Sequence, residues 1–366
     1  MTPSQRLRAT YAFGPVDHLV RKEFYIWGEA IERWKGEGLP PDADQAELFG
    51  YDPAGDAGFW RLGWCEPAFV PAIQSRVLES TDEYEIELDV AGRTVKYFKG
   101  RRHGFMPTYL RHAVTCDRDW EEQVLPRLSP DTPARWAGFD ADIAKLKTQA
   151  EAGQFIRQHC IGGYMYLRAL VGPEDICYLF LDNPALVHKM MAAWLELADR
   201  VTARAQAAVE FDEFYIGEDI CYNHGLLISP DMVREFLFPY YQQILANMRG
   251  RQKRPLHFQL DTDGNCAEAI DLYHPIGLTV LSPIEIAANN DLLAIARKYP
   301  DLVLFGGIDK RILADGPRAI DEYLSRIMPE LVARGGYIPT CDHGVPDNVS
   351  YASYMHYRRR MMEMDH

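Results

Sequence analysis

Residues 255–310 read PLHFQLDTDGNCAEAIDLYHPIGLTVLSPIEIAANNDLLAIARKYPDLVLFGGIDK, and their alternation decides the fold. Short apolar runs at 255–260, 278–281 and 302–307 are separated by segments of helical periodicity at 266–273 and 291–299. Working outward, the same texture recurs. Apolar runs stand at 160–170, 211–220 and 337–340, and helical patterns at 184–209, 230–248 and 319–334. Strand, helix, strand in this order builds a parallel sheet, because the right-handed crossover returns the chain to the end at which the previous strand began. No G-x-G-x-x-G or G-x-x-x-x-G-K-[ST] follows any of these runs, so the nucleotide-binding open sheets lack their signature. The expectation is an α/β protein, a single (β/α)8 TIM barrel. Residues 1–56 read as a polar N-terminal arm with one helix over 24–34, ended by the breaker GEGLPP at 36–41. Residues 57–366 read as the barrel, interrupted by a β-hairpin at 83–99 in which Tyr84, Ile86, Leu88 and Val90 alternate with acids before the turn at Gly92.

Composition narrows the partners. The chain has 366 residues, 47% of them hydrophobic, with 39 Lys+Arg against 53 Asp+Glu and a net charge of -14. Such a balance repels phosphate backbones and anionic lipid, so neither nucleic acid nor a membrane surface is expected as a partner. No run approaches the roughly 18 apolar residues of a membrane span, and the first twenty residues have no secretory h-region. A cytoplasmic location is expected. The seven cysteines are scattered without a C-x-x-C pair, which points to reduced core residues rather than a disulfide framework. A homodimer is expected on base rate.

In a parallel α/β fold, functional groups collect where strands emerge at their C-terminal ends. Here five successive runs end in polar chemistry: Gly217-Glu218-Asp219, Asp261-Thr262-Asp263-Gly264-Asn265, Ser282-Pro283-Ile284-Glu285, Gly306-Gly307-Ile308-Asp309-Lys310 and Cys341-Asp342-His343-Gly344. Asp261 and Asp263 are two apart and project to one side of extended backbone. Their repulsion is relieved by a shared proton, a bound cation, or backbone N–H donors from the Gly264 turn. Cys341 and His343 share a side in the same way. Glu218, Glu285 and His343 are the candidate catalytic groups. Each acid has a plain alternative as helix N-terminal charge or loop acceptor. Arg101, Arg102 and His103 form a basic loop that could meet an anionic substrate, Tyr164 and Tyr166 could line one wall of a cavity as neighbours on a strand, and Asp309 could touch the substrate. A solvated turn, aromatic core packing and a pairing with Arg311 are the respective alternatives. His257, inside its strand, reads as a core histidine.

The order of these motifs, with Ser229-Pro230 upstream and the arm segment RWKGEGLP at 33–40, resembles the uroporphyrinogen decarboxylase-like superfamily over about residues 24–361. The resemblance implies a single (β/α)8 barrel with its cleft at the C-terminal face. The decarboxylases of that superfamily carry an N-terminal Met-Arg-Gln-Ala-Gly-Arg-Tyr segment that this chain lacks. The corrinoid-dependent methyltransferase branch binds zinc through His-x-Cys-Gly and a later Cys-Gly. Those motifs fall on Asp261-Thr262-Asp263-Gly264 and Asp342-His343-Gly344, so the implied ligands become Asp261, Asp263 and His343, with Cys341 as a further one. Two carboxylates and an imidazole make a harder site than thiolates, suited to a divalent metal, zinc first, that polarises an oxygen of the methyl donor. No D-x-H-x-x-G corrinoid motif is present, so the corrinoid would be carried by a partner protein. The resemblance thus implies a metal-dependent, corrinoid-linked methyltransferase acting on a small O-methyl or similar donor. A cofactor-free decarboxylase of uroporphyrinogen or a related carboxylated substrate, and a non-catalytic tetrapyrrole- or corrinoid-binding protein, are the alternatives.

Overall fold

The computed structural model describes residues 1–100 and 106–366. Arg101, Arg102 and His103 lie outside the described residues. Seven strands form one parallel sheet in chain order: Asp56–Leu62, Phe155–Ile161, Glu213–Gly217, His257–Asp261, Val280–Ser282, Val303–Phe305 and Tyr337–Ile338. Every recorded pair in this ladder is parallel, and the first and last strands do not pair with each other among the described residues. Arm residue Lys22 stands between the first strand and the sixth: its ammonium is 3.5 Å from Asp56 and 5.2 Å above the Phe305 ring. Helices Pro184–Gln206, Phe238–Arg251, Ala267–Tyr273, Leu292–Lys298 and Pro317–Arg334 follow the strands, as the periodicity predicts. Strand residues of one parity, such as Phe59, Phe214 and Phe258, join the main apolar core with the helices. The opposite parity faces a lumen.

The lumen carries charge beside a small apolar cluster that includes Val20, Val280, Val303 and Ile338. The Arg157 guanidinium is 2.8 Å from Glu213, which is fully buried, and it also pairs with Asp56. Burial opposes charge on both partners. The carboxylates around Arg157 nevertheless raise its pKa, whereas burial leaves Glu213 raised despite the guanidinium. Tyr11 closes this layer from below, donating its hydroxyl to Glu213 at 2.5 Å.

Three local readings need correction. The arm holds two further helices, the short Gln45–Leu48 and Pro3–Tyr11, the latter started by a capping box in which Thr2 Oγ1 accepts from Gln5 N and Gln5 Oε1 accepts from Thr2 N. The arm helix expected over 24–34 runs instead over Gly28–Gly36, because Ile26 bridges to Val345 and keeps the chain before it out of the helix. The run at 160–170 is not one strand. It ends at Ile161 and continues as the helix Gly163–Val171, so Tyr164 and Tyr166 diverge instead of sharing a wall. The hairpin at 83–99 is present as Tyr84–Leu88 and Thr94–Phe98, inside a four-stranded antiparallel sheet with Arg76–Ser80 and Thr108–Arg111. No helix among the described residues is long and apolar enough to cross a membrane.

Candidate functional site

The strand His257–Asp261 delivers Asp261 to the upper lumen between its neighbours. Ser282, opposite it in register on the next strand, donates its hydroxyl to Asp261 Oδ2, and Tyr215 hydrogen-bonds the same carboxyl from the preceding strand. Burial, with Asp263 close by, outweighs these donors and pushes Asp261 up to about 7. Tyr215 also accepts from Trp64 Nε1 at 3.1 Å, and its ring lies 4.7 Å from that of His159. His159 in turn is stacked under Trp60.

Across the cleft, His343 Nε2 lies 3.5 Å from Asp263 Oδ2, and its Nδ1 lies 3.0 Å from the Tyr25 hydroxyl. Burial works against the imidazolium, but the Asp263 carboxylate prevails and raises the pKa of His343. Tyr25 is raised as well, first by burial and then by Asp263. The loop that carries Asp263 is tied down at Gly264: Glu285 Oε2 accepts from its N–H at 3.1 Å, while Asn290 donates to its carbonyl at 2.8 Å. Gly264 has φ +81°, and a Cβ there would strike the backbone of Cys221 and Tyr222, so only glycine fits this turn.

Several expected site residues stand elsewhere. Glu218 continues the outward parity of Ile216 and is sealed in the helix layer, not in the lumen. It accepts from Tyr241 and Tyr273 hydroxyls at 2.7 and 2.8 Å and from Tyr164 N at 3.3 Å. Tyr164 is fully buried with its hydroxyl unpartnered among the described residues, and Tyr166 donates to Met190 O. Asp309 caps the helix Lys310–Asp315, accepting from Arg311 N at 2.9 Å and pairing with its guanidinium. Glu285 is paired with Lys310 at 3.2 Å besides holding Gly264. Cys341 is fully buried; burial and the neighbouring Glu23 drive its thiol pKa up, and its N–H donates to Glu23 at 2.7 Å.

The implied metal set does not assemble. Asp263 and His343 are paired with each other, Asp261 is occupied by Ser282 and Tyr215, and Cys341 is sealed beside Glu23. Among the described residues no three His, Cys, Asp or Glu side chains gather closely enough to share an ion. These side chains as arranged do not fit a metal, and no chemical step is derived through one.

Sequence reading passed over Tyr25, Trp60, Trp64, His159 and Tyr215, which line the cleft, and Asp342 beneath it. Asp342 is buried, accepts from Ile286 N and Lys310 N, and is pushed by burial to about 6. The parity of the strand Glu213–Gly217 would have found Tyr215, since it shares a face with Glu213 and Gly217. Tyr25 and Trp27 reach His343 only through tertiary docking and left no local signal.

A mostly parallel α/β sheet with its polar groups gathered at strand ends defines a barrel-type enzyme scaffold. Residues 159–360, more than half of the chain, match the uroporphyrinogen decarboxylase (URO-D) family. The chain belongs to that family. Among solved structures it is similar to a methyltransferase from Methanosarcina mazei, with 16% identity, 99% of each chain covered and a TM-score of 0.62, a likeness of fold. A xylanase B from Clostridium stercorarium F9 aligns over 57% of this chain and 72% of its own, with 11% identity and a TM-score of 0.33. A search of curated proteins found no match.

Proposed function

We propose that this protein is a methyltransferase that moves a methyl group from a small O-methyl donor to a corrinoid carried by a partner protein. The observation that carries the reading is the Asp261 carboxyl in the upper lumen, fixed by Ser282 and Tyr215 and pushed up to about 7 by burial. Breaking a methyl–oxygen bond leaves an alkoxide or phenoxide, and a carboxylic acid with a pKa near the working pH is suited to protonate it. The partner's corrinoid supplies the nucleophile that takes the methyl group. Ser282 and Tyr215 fix the Asp261 carboxyl in place. The Asp263–His343 pair, backed by Tyr25, provides a second proton-bearing group across the cleft. Family membership and the fold shared with a methyltransferase support the reading.

The decarboxylase alternative asks for free cations to hold a polycarboxylate. Among the described residues, the cations around the cleft are paired: Lys310 with Glu285, Arg168 with Asp219 and His343 with Asp263. The test is absorbance-monitored formation of methylcobalamin from chemically reduced cobalamin and a panel of O-methyl donors. Asp261→Asn should slow transfer on the order of a hundredfold or more. Full activity in that variant, or carbon dioxide release from uroporphyrinogen by the wild type, would refute the reading.

A further inference from the structure

Trp60 sits where a barrel strand ordinarily hides an aliphatic side chain, yet it is 59% exposed. Ala57 and Phe59, of the opposite parity, are buried in the helix layer, so Gly58 and Trp60 take the lumen side of the strand Asp56–Leu62, before the register shift that turns Leu62 back to the core. Gly58 is what lets the indole lie down. A Cβ at that position would collide with Trp60 Nε1 and stand 3.0 Å from the His159 ring. With the space free, the indole lies flat on the His159 imidazole, ring centroids 3.4 Å apart and planes within 8°. Burial, followed by the Arg157 guanidinium, pulls the pKa of His159 down to about 3, so the lower ring of the stack is neutral. Its Nδ1 is buried without a partner among the described residues. A buried unpaired nitrogen is a cost that packing alone does not recover, whereas a neutral imidazole makes a flat apolar support for the indole.

From this platform the lumen wall leads to the acid in two steps. His159 contacts the Tyr215 ring at 4.7 Å, and the Tyr215 hydroxyl reaches both Trp64 Nε1 and Asp261. A planar ring laid on the open face of Trp60 would extend the stack by one layer and could direct a ring substituent along the wall toward Asp261. A quaternary ammonium is the other ligand that an indole face attracts. Two observations favour the planar ring. His159 and Trp60 form one flat stack rather than a cage of rings enclosing a cation. A quaternary ammonium also departs as a neutral amine and leaves the acid without work, whereas an aryl ether leaves a phenoxide that takes up its proton.

We infer that the methyl donor is an aromatic methyl ether whose ring stacks on the exposed face of Trp60, with its methoxy oxygen directed to Asp261. The inference rests on the methyl-transfer reading above and adds the substrate class. In the step, the methyl–oxygen bond breaks, the reduced corrinoid of the partner supplies the electron pair of the new bond to the methyl carbon, and the phenoxide oxygen takes the proton from Asp261 to give a phenol.

Equilibrium dialysis of the full chain with three probes tests the platform without turnover: methoxybenzene, methoxycyclohexane as its saturated counterpart, and tetramethylammonium. The aromatic ether should bind about tenfold more tightly than either of the others, a difference in line with ring stacking added to apolar burial. Trp60→Ala should abolish the preference, while Trp60→Phe, which keeps a flat ring, should retain most of it. Equal or tighter binding of methoxycyclohexane or tetramethylammonium to the wild type would overturn the inference, whatever the variants do. So would an unchanged preference in a Trp60→Ala protein with wild-type circular dichroism. An aromatic preference without methyl transfer to reduced cobalamin keeps the platform and removes the transfer reading. Transfer from aliphatic ethers without that preference does the reverse.

Discussion

Replacing Glu218 by Gln should make the protein's stability less dependent on pH, and the size of the change follows from where the carboxyl sits. Glu218 is fully buried between Tyr241 and Tyr273, and burial outweighs their hydrogen bonds to push it from 4.5 to about 7. Because the folded state holds the proton more tightly than the unfolded chain, its contribution is fully present below about pH 4.5 and declines as pH rises, until the decline is complete above about pH 7. The whole span corresponds to about 3 kcal/mol, of which about 2 kcal/mol is lost between pH 5.5 and 8.5. Gln is close to isosteric with protonated Glu, and its amide can accept from one tyrosine and donate to the other. Urea denaturation of both proteins at pH 5.5 and 8.5 measures the difference directly. The variant should gain about 2 kcal/mol on the wild type between the two conditions. Taking the difference cancels the contributions of Asp261 and Asp342, which are displaced in the same direction. Parallel pH dependences in the two proteins would show that Glu218 is ionised or solvated in the folded state, and the placement in the helix layer would then be wrong.

The remaining expectations are briefer. Methyl transfer should fall as pH rises through about 7, because Asp261 must carry the proton, and rates measured from pH 5.5 to 9 would contradict this if they stayed flat. Arg157→Met strands the buried Glu213 carboxylate and should cost about 3–5 kcal/mol in denaturant titrations, with Arg157→Met/Glu213→Leu recovering much of it. Asp309→Ala removes a helix cap and should cost about 1 kcal/mol while leaving KM for the donor unchanged; a raised KM would return Asp309 to the substrate site. Iodoacetamide should label exposed Cys116 in the folded protein and spare Cys160, Cys221, Cys266 and Cys341, as read by peptide mass.

Much of the architecture was legible because buried parallel strands announce themselves as apolar runs with turns after them. The runs at 255–260, 278–281 and 302–307 each yielded a strand of the central sheet. The run at 160–170 misled because a strand and a buried helix look alike when both are apolar, and Gly162-Gly163 marks the join. Asp261, Asp263 and His343 were readable as strand-end residues, and two of them, Asp263 and His343, do meet. Glu218 was placed on the wrong side because a residue just past a strand keeps that strand's parity, and Ile216 already faced the helices. Asp309 illustrates a different limit: a capping aspartate and a substrate-binding one look identical in one dimension. The aromatic side of the cleft was invisible, since no strand was read over 56–62 and only the structure shows Gly58 making room for the Trp60 indole.

The arm has a further consequence for how the molecule reaches its final form. Tyr11 bonds to a residue 202 positions later, and Tyr25 to one 318 positions later. The arm therefore cannot find its resting place until the segments that carry Glu213 and His343 have been made. Contacts so distant along the chain slow folding, and a nascent copy would leave its charged lumen open to water until the arm docks.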